Sequence, residues 1–150
     1  VIKKIGDPGI IFHGISLSAG KGSGVAVAKE KPIIMLPGHV GSTVATFYLL
    51  VTPILNMQLG LGFCDLLPNI RGLLDEKVTA KPAIDLVLPV KVYKQLDKYR
   101  VVPLKKHLSI LKNLTEANGY AFVPAGTEKK KNEIIDVKIF GGLEFFNIVS

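Results

Sequence analysis

Residues 40–64 contain no charged side chain, a run of 25 positions, and this run limits the folds open to the chain. It is long enough to cross a bilayer, which takes about 20 apolar residues in a helix. Its interior argues against a membrane span. Pro53, Asn56, Gln58, Gly60 and Gly62 interrupt it, and a strand-like run and a Pro37-Gly38 turn precede it. A helix covered on several sides by an α/β domain has the same composition, because burial all round leaves few polar faces. No membrane partner is expected.

The flanking patterns divide the chain. Residues 9–17 (GIIFHGISL) have strand composition, residues 18–24 form a Gly/Ser-rich loop, and residues 25–28 form a second strand. Lys29-Glu30-Lys31 reads as a polar hairpin turn, and residues 32–36 as a short buried strand ended by Pro37-Gly38. A helix is expected from Ser42 or Thr43 as N-cap through Val51. Thr52-Pro53 then fits the cap and first position of a second helix ending near Gly60. Residues 64–77 read as a linker, so residues 1–63 and 78–150 are expected to be separate domains. The second domain is β-rich. Strands are expected at 83–93, with Pro89 at an edge or bulge, and at 99–104, 120–124 and 135–139; residues 108–114 read as a helical turn. Short strands this closely spaced suggest a small barrel.

Composition excludes several classes. The chain is 48% hydrophobic and 21% charged, too apolar for disorder at 150 residues. Cys64 is the one cysteine, so an intrachain disulfide and a multi-cysteine metal site are both excluded, which suits a reducing cytoplasm. His13, His39 and His107 lack metal-ligand spacing, and no metal-ligating residue is assigned. The net charge is +7, but its one cluster, Lys129-Lys130-Lys131, has no interleaved aromatic and reads as a solvated hairpin tip. No nucleic-acid partner is expected. The chain opens on Val1, which points to a longer gene product.

Two loops carry the chemical signals. Residues 18–24 (SAGKGSG) leave backbone N–H groups open, and Lys21 adds a positive charge suited to phosphate. The spacing is not that of a Walker A loop, and by composition alone a flexible hairpin loop fits as well. Residues 36–42 (LPGHVGS) join a buried strand to a helix start, where free N–H groups and the positive dipole end attract anions. Gly38 and Gly41 would let a ligand approach, Ser42 would add a hydroxyl, and His39 could donate to a phosphate. A tight turn with a good cap, or an exposed His39, explains the same residues.

Together these loops resemble the molybdopterin molybdenumtransferase family (MoeA and the E domain of gephyrin). That family carries a K-P-G-K-P loop and, about 15 residues later, L-P-G-N-P-V-S before an apolar helix. SAGKG at 18–22 and LPGHVGS at 36–42 stand in those places, and TFYLLVTPILNMQLG at 46–60 resembles the helix and its continuation. LTEANGY at 114–120 resembles the family's A-N-G element. The first loop keeps Lys21 but has Ser18, Ala19 and Gly22 for the first Lys and both prolines. The second keeps Pro37, Gly38 and Ser42, with His39, Val40 and Gly41 substituted. The family's G-G-V-S-x-G-x-x-D element, with its metal-linked acid, would lie before residue 1. Residues 143–150 extend beyond the usual end.

The resemblance implies an α/β plus β fold: the C-terminal part of a three-layer α/β molybdopterin-binding domain, then a small β-barrel. It implies molybdenum cofactor biosynthesis by insertion of molybdate into adenylylated molybdopterin, with AMP released and Mg²⁺ involved through ligands outside this chain. Lys21 is the expected catalytic residue, and Gly20, Lys21, Pro37, Gly38, His39 and Ser42 the expected ligand contacts. A cytoplasmic homodimer is expected. A degenerate anion-binding homologue without catalysis and a gephyrin-like scaffold are the alternatives, and the 150-residue chain alone is expected to be catalytically silent.

Overall fold

The computed structural model describes residues 7–18, 20–63, 67–104 and 115–140. The chain divides into two compact units, Val1–Asp65 and Leu66–Ser150. The 108–114 helical turn and the 143–150 tail expected from the sequence lie outside the described residues.

The first unit is built on a three-stranded antiparallel sheet in the order β1-β2-β3, with β1 at Pro8–His13, β2 at Gly24–Ala28 and β3 at Lys31–Met35. The β2–β3 hairpin closes through Lys29 and Glu30, both at positive φ (49° and 62°). Left-handed backbone at both central residues gives a turn whose twist matches the flanking strands. β1 is shorter than the expected 9–17 strand because the chain turns away at Gly14, whose φ is +87°. Glycine adopts that conformation without the Cβ clash other residues meet. A whole three-layer α/β domain is not contained in this chain. Among the described residues this unit has one sheet and one helical segment, and its strands are joined antiparallel, one of them by a tight turn where parallel strands would need a crossover.

The helical segment is continuous from Val40 to Gln58, which corrects two sequence expectations. It begins with His39 in the N-cap position, not Ser42 or Thr43. It also passes through Pro53 without a break: α1 (Val40–Thr46) runs into a π-helical turn at Phe47–Val51 and then α2 (Thr52–Gln58). A proline in an α-helix clashes with the carbonyl four residues back and leaves it unbonded. The widened turn supplies a different pattern, in which the Thr52 N–H donates to the Phe47 carbonyl five residues earlier. The helix is also less covered than expected. Gly41, Ala45, Thr46 and Asn56 are buried, while Val40, Phe47, Leu55 and Met57 are exposed.

The second unit is a closed barrel in the order β10-β4-β7-β6-β8, with β5 and β9 forming a separate two-stranded ribbon. β4 is Asn69–Leu74, β5 Val78–Thr79, β6 Leu86–Gln95, β7 Lys98–Pro103, β8 Gly119–Val123, β9 Glu128–Lys129 and β10 Ile134–Ile139. β4 falls inside the stretch expected to be a linker at 64–77. It is a barrel strand paired antiparallel to β10 and parallel to β7. The core is Leu74, Val78, Ala80, Leu88, Val90, Val92, Val101, Ala121, Val123, Ile135, Val137 and Ile139. The last three alternate with Ile134, Asp136 and Lys138 along β10, as half-buried strands do. Burying each of the Val, Leu and Ile side chains among them contributes about 1.5–3 kcal/mol.

Pro89 and Asn118 show how the barrel satisfies its backbone. β6 pairs with β8 over Leu86–Val90 and with β7 from Val90 onward. Pro89 therefore lies just outside the β7 ladder, where its missing N–H breaks no rung, and its carbonyl still accepts from the Leu104 N–H. Asn118 extends the β8 side of the ladder with its side chain. Its Oδ1 accepts from the Val92 N–H and its Nδ2 donates to the Val92 carbonyl, both at 2.8 Å. The A-N-G element thus has a structural use in closing the barrel.

Candidate functional site

The two sequence-selected loops lie at one end of the first sheet. β1 and β3 both run antiparallel to β2, so their C-terminal ends coincide. The register sets His13 opposite Gly24, and Gly24 opposite Met35. The loop after β1 and the loop after β3 must therefore leave from neighbouring points.

The first loop is held by its own backbone. The Gly14 N–H donates to the Ser23 carbonyl at 2.7 Å, the Gly20 N–H to Leu17 at 3.0 Å, and the Ser23 N–H to Gly20 at 2.9 Å. Gly20 is buried, and a β-carbon there would stand 2.3 Å from Ile15 Cγ1. Its role in this structure is packing under the loop. Lys21 is exposed.

The second loop meets the first at Pro37. A β-carbon on Gly22 would lie 3.6 Å from Pro37 Cα and 3.8 Å from its Cβ. Behind this contact Ser23 Oγ and Thr46 Oγ1 are hydrogen-bonded at 3.2 Å, both residues buried. Thr43 Oγ1 donates to the Pro37 carbonyl, with the His39 carbonyl 3.1 Å away. Thr43, Ser23 and Thr46 tie the site together, and none of the three is among the expected ligand contacts; the sequence marks Thr43 only as a candidate N-cap and Ser23 only as part of the first loop. The usable signal for Thr43 is its i+4 spacing from His39, which lets a hydroxyl reach back along the first helical turn.

The helix N-terminus has no side-chain cap and no acid in its first turn. The first intrahelical bond is from the Thr43 N–H to His39, so the N–H groups of Val40, Gly41 and Ser42 have no intrahelical acceptor. His39 and Gly38 are exposed, and open space surrounds Gly38. Pro37 and Ser42 are half-buried. The six expected contacts therefore divide. Lys21, Gly38 and His39 face solvent near the helix start, Pro37 and Ser42 frame it, and Gly20 lies beneath.

Charge is segregated along the sheet. Among residues 7–63 the two carboxylates are Asp7, beside the Pro8↔Ala28 pair, and Glu30, in the β2–β3 turn. Both belong to the end opposite Lys21. In the barrel, the basic run at 129–131 is partly neutralised. Lys129 Nζ lies 2.6 Å from Glu133 Oε1, and Lys77 Nζ 2.7 Å from Glu128 Oε2. The Lys129 hydrogen bond and the Lys130 N–H hold the Glu133 carboxyl below its ordinary value, and the Lys77 hydrogen bond does the same for Glu128. The barrel also has an open groove of about 300 Å³, lined by Arg71, Gly72, Leu73, Lys98, Tyr99 and Ile134 among others.

The chain thus combines a three-stranded sheet with paired loops at one end and a small closed barrel. Residues 71–140 match the family described as MoeA C-terminal region (domain IV). The chain is similar to the C-terminal portion of MoeA proteins. A molybdopterin biosynthesis MoeA protein from Pyrococcus horikoshii superposes with a TM-score of 0.78 at 29% identity, covering 94% of this chain and 34% of that one. A molybdenum cofactor biosynthesis protein from Pyrococcus furiosus gives a TM-score of 0.70 at 20% identity, covering 87% of this chain and 45% of that one. The chain thus spans about a third of the first structure's length. No curated protein sequence matches it.

Proposed function

We propose that this chain is the C-terminal part of a molybdopterin molybdenumtransferase, acting in the insertion of molybdate into adenylylated molybdopterin. Residues 1–63 are read as the C-terminal part of a larger molybdopterin-binding α/β domain. The observation that carries the reading is the Gly22–Pro37 contact, which joins the Lys21 loop to an uncapped helix start in one cationic corner. Lys21 stabilises the anion and supplies the catalytic charge. The N–H groups at the helix start, with His39 and Ser42, receive its oxygens, and Gly38 leaves room for approach. Adenylylated molybdopterin is the proposed partner, in a cytoplasmic homodimer.

The donor set here does not fit Mg²⁺, which takes oxygen ligands and commonly one or two carboxylates. Asp7 and Glu30 are at the far end of the sheet, and no cluster of three or more His, Cys, Asp or Glu occurs among the described residues.

Molybdate-dependent AMP release from adenylylated molybdopterin tests the reading in the full-length parent. Lys21→Ala should weaken binding about 10- to 100-fold, the loss of one charge-assisted contact worth roughly 1.5–3 kcal/mol. Unchanged binding and turnover would reject it. A second reading, a scaffold that grips a partner, is favoured by the barrel groove at Leu73, Tyr99 and Ile134. It predicts partner capture that Tyr99→Ala abolishes while AMP release is untouched.

A further inference from the structure

We infer that the outer face of β4 and β10 is a docking surface for a second copy of this chain; the inference rests on the homodimer part of the proposed reading and gives that dimer its contact. Alternate residues of a strand share a face. Ile135, Val137 and Ile139 point into the barrel core, so Ile134 and Asp136 stand on the outside of β10. Arg71 and Leu73 stand on the outside of β4, alternating with the buried Gly72 and Leu74. The register sets Ile134 opposite Leu73 and Asp136 opposite Arg71. An apolar pair and a pair of opposite charges therefore lie side by side across the same two strands. Ile134 is 50% exposed and borders the groove of about 300 Å³ together with Arg71, Leu73, Lys98 and Tyr99. Phe122, also exposed, lies on β8, the strand on the other side of β10.

The charges choose the occupant. The chain carries +7 overall, so two copies repel unless they meet where charge is balanced. Arg71 and Asp136 balance each other. Arg71 Nε is 3.8 Å from Asp136 Oδ1, beyond hydrogen-bond length, and the two side chains keep 73% and 67% exposure. Each is therefore open to a further partner of opposite sign. A two-fold axis in the contact plane, running between β4 and β10 along the strands, exchanges the two strands. It seats Ile134 on Leu73 of the second copy and Asp136 on Arg71 of the second copy, and each contact occurs twice. That reciprocity is what an isologous interface requires. A partner of a single charge sign would satisfy one of the two charged positions and oppose the other.

Sedimentation of the full 150-residue chain should show a monomer–dimer equilibrium with a dissociation constant of about 1–100 μM, since a contact between two small barrel faces falls at the low end of interface sizes. Arg71→Asp sets carboxylates against carboxylates in both reciprocal contacts, and Asp136→Arg sets guanidinium against guanidinium. Each variant should weaken the dimer about tenfold or more, as facing like charges do. Both positions are exposed, so circular dichroism should show each variant folded. An equimolar mixture of the two variants should recover a dimer, because the acidic face of one meets the basic face of the other. Ile134→Glu should weaken the dimer without any recovery on mixing with Arg71→Asp. A chain that stays monomeric up to about 300 μM, or a mixture that recovers nothing, would overturn the inference. A dimer that both charge variants form as well as the wild type would overturn it too, while leaving the homodimer reading in place with its contact elsewhere; a monomer throughout removes both.

Discussion

Pro37 Cα stands 3.6 Å from the point where a β-carbon on Gly22 would be, and through this contact two loops separated in sequence share one corner. The contact follows from the strand register, since β1 and β3 end side by side across Gly24. Packing and ligand access can be separated at two nearby glycines. A β-carbon on Gly24 would lie 2.7 Å from the Phe12 carbonyl oxygen, so β1 and β2 would have to move apart. Gly24→Ala should cost about 1–3 kcal/mol in urea unfolding, as overpacking does. Gly38 has nothing within 4 Å of its β-carbon position. Gly38→Val should change stability by less than about 0.5 kcal/mol yet weaken molybdate binding, because the branched side chain fills the approach to the helix start. Equal effects from the two variants, or normal binding by Gly38→Val, would contradict this division.

The barrel holds a polar anchor at Asp75. Its carboxylate is paired with the Arg100 guanidinium and accepts from Tyr93 Oη at 3.2 Å, while Arg100 Nη1 reaches Asn132 Oδ1 at 3.3 Å. Both partners of the ion pair keep 19% of their side-chain exposure, so water screens them in part. Breaking a fully buried pair costs about 3–5 kcal/mol, and this exposure reduces the figure for Asp75→Ala to about 2 kcal/mol. The urea midpoint followed by circular dichroism should fall accordingly. An unshifted midpoint would show that the pair adds nothing to the barrel.

Glu133 offers a pH test of the ribbon beside it. Its carboxyl is held below the ordinary glutamate value by the Lys129 hydrogen bond and the Lys130 N–H. A carboxyl lowered on folding stabilises the folded chain above its unfolded value. That contribution disappears as pH falls through the folded value. A carbon-detected titration should place the Glu133 midpoint below that of an ordinary glutamate, and Lys129→Ala should raise it. A midpoint at or above the ordinary value in the wild type would refute the pairing.

Much of this arrangement was legible in the residues. The hairpin around Lys29 and Glu30 was readable because a polar pair separates two apolar runs. β10 was readable because Ile135, Val137 and Ile139 alternate with Asp136 and Lys138. β4 was hidden because Gly72 stands where the strand meets β7. A β-carbon there would be 2.6 Å from Val101 Cγ2, so close approach replaces the apolar side chain that would have completed the pattern. The unbroken helix was hidden because a π-helical turn is a backbone solution with no residue signature, and Pro53 alone argued for a break. Both loops of the site were visible in sequence. Their contact was not, because it depends on register, and neither was the Ser23–Thr46 bond that backs it.

The most direct test of a single anion site is to titrate molybdate into the isotope-labelled 150-residue chain and follow backbone amide shifts. The account predicts that the amides of Lys21 and Gly22 move together with those of Val40, Gly41 and Ser42, all fitting one dissociation constant that Lys21→Ala weakens about 10-fold or more. Shifts confined to one loop, two unrelated affinities, or a titration that Lys21→Ala leaves unchanged would contradict it.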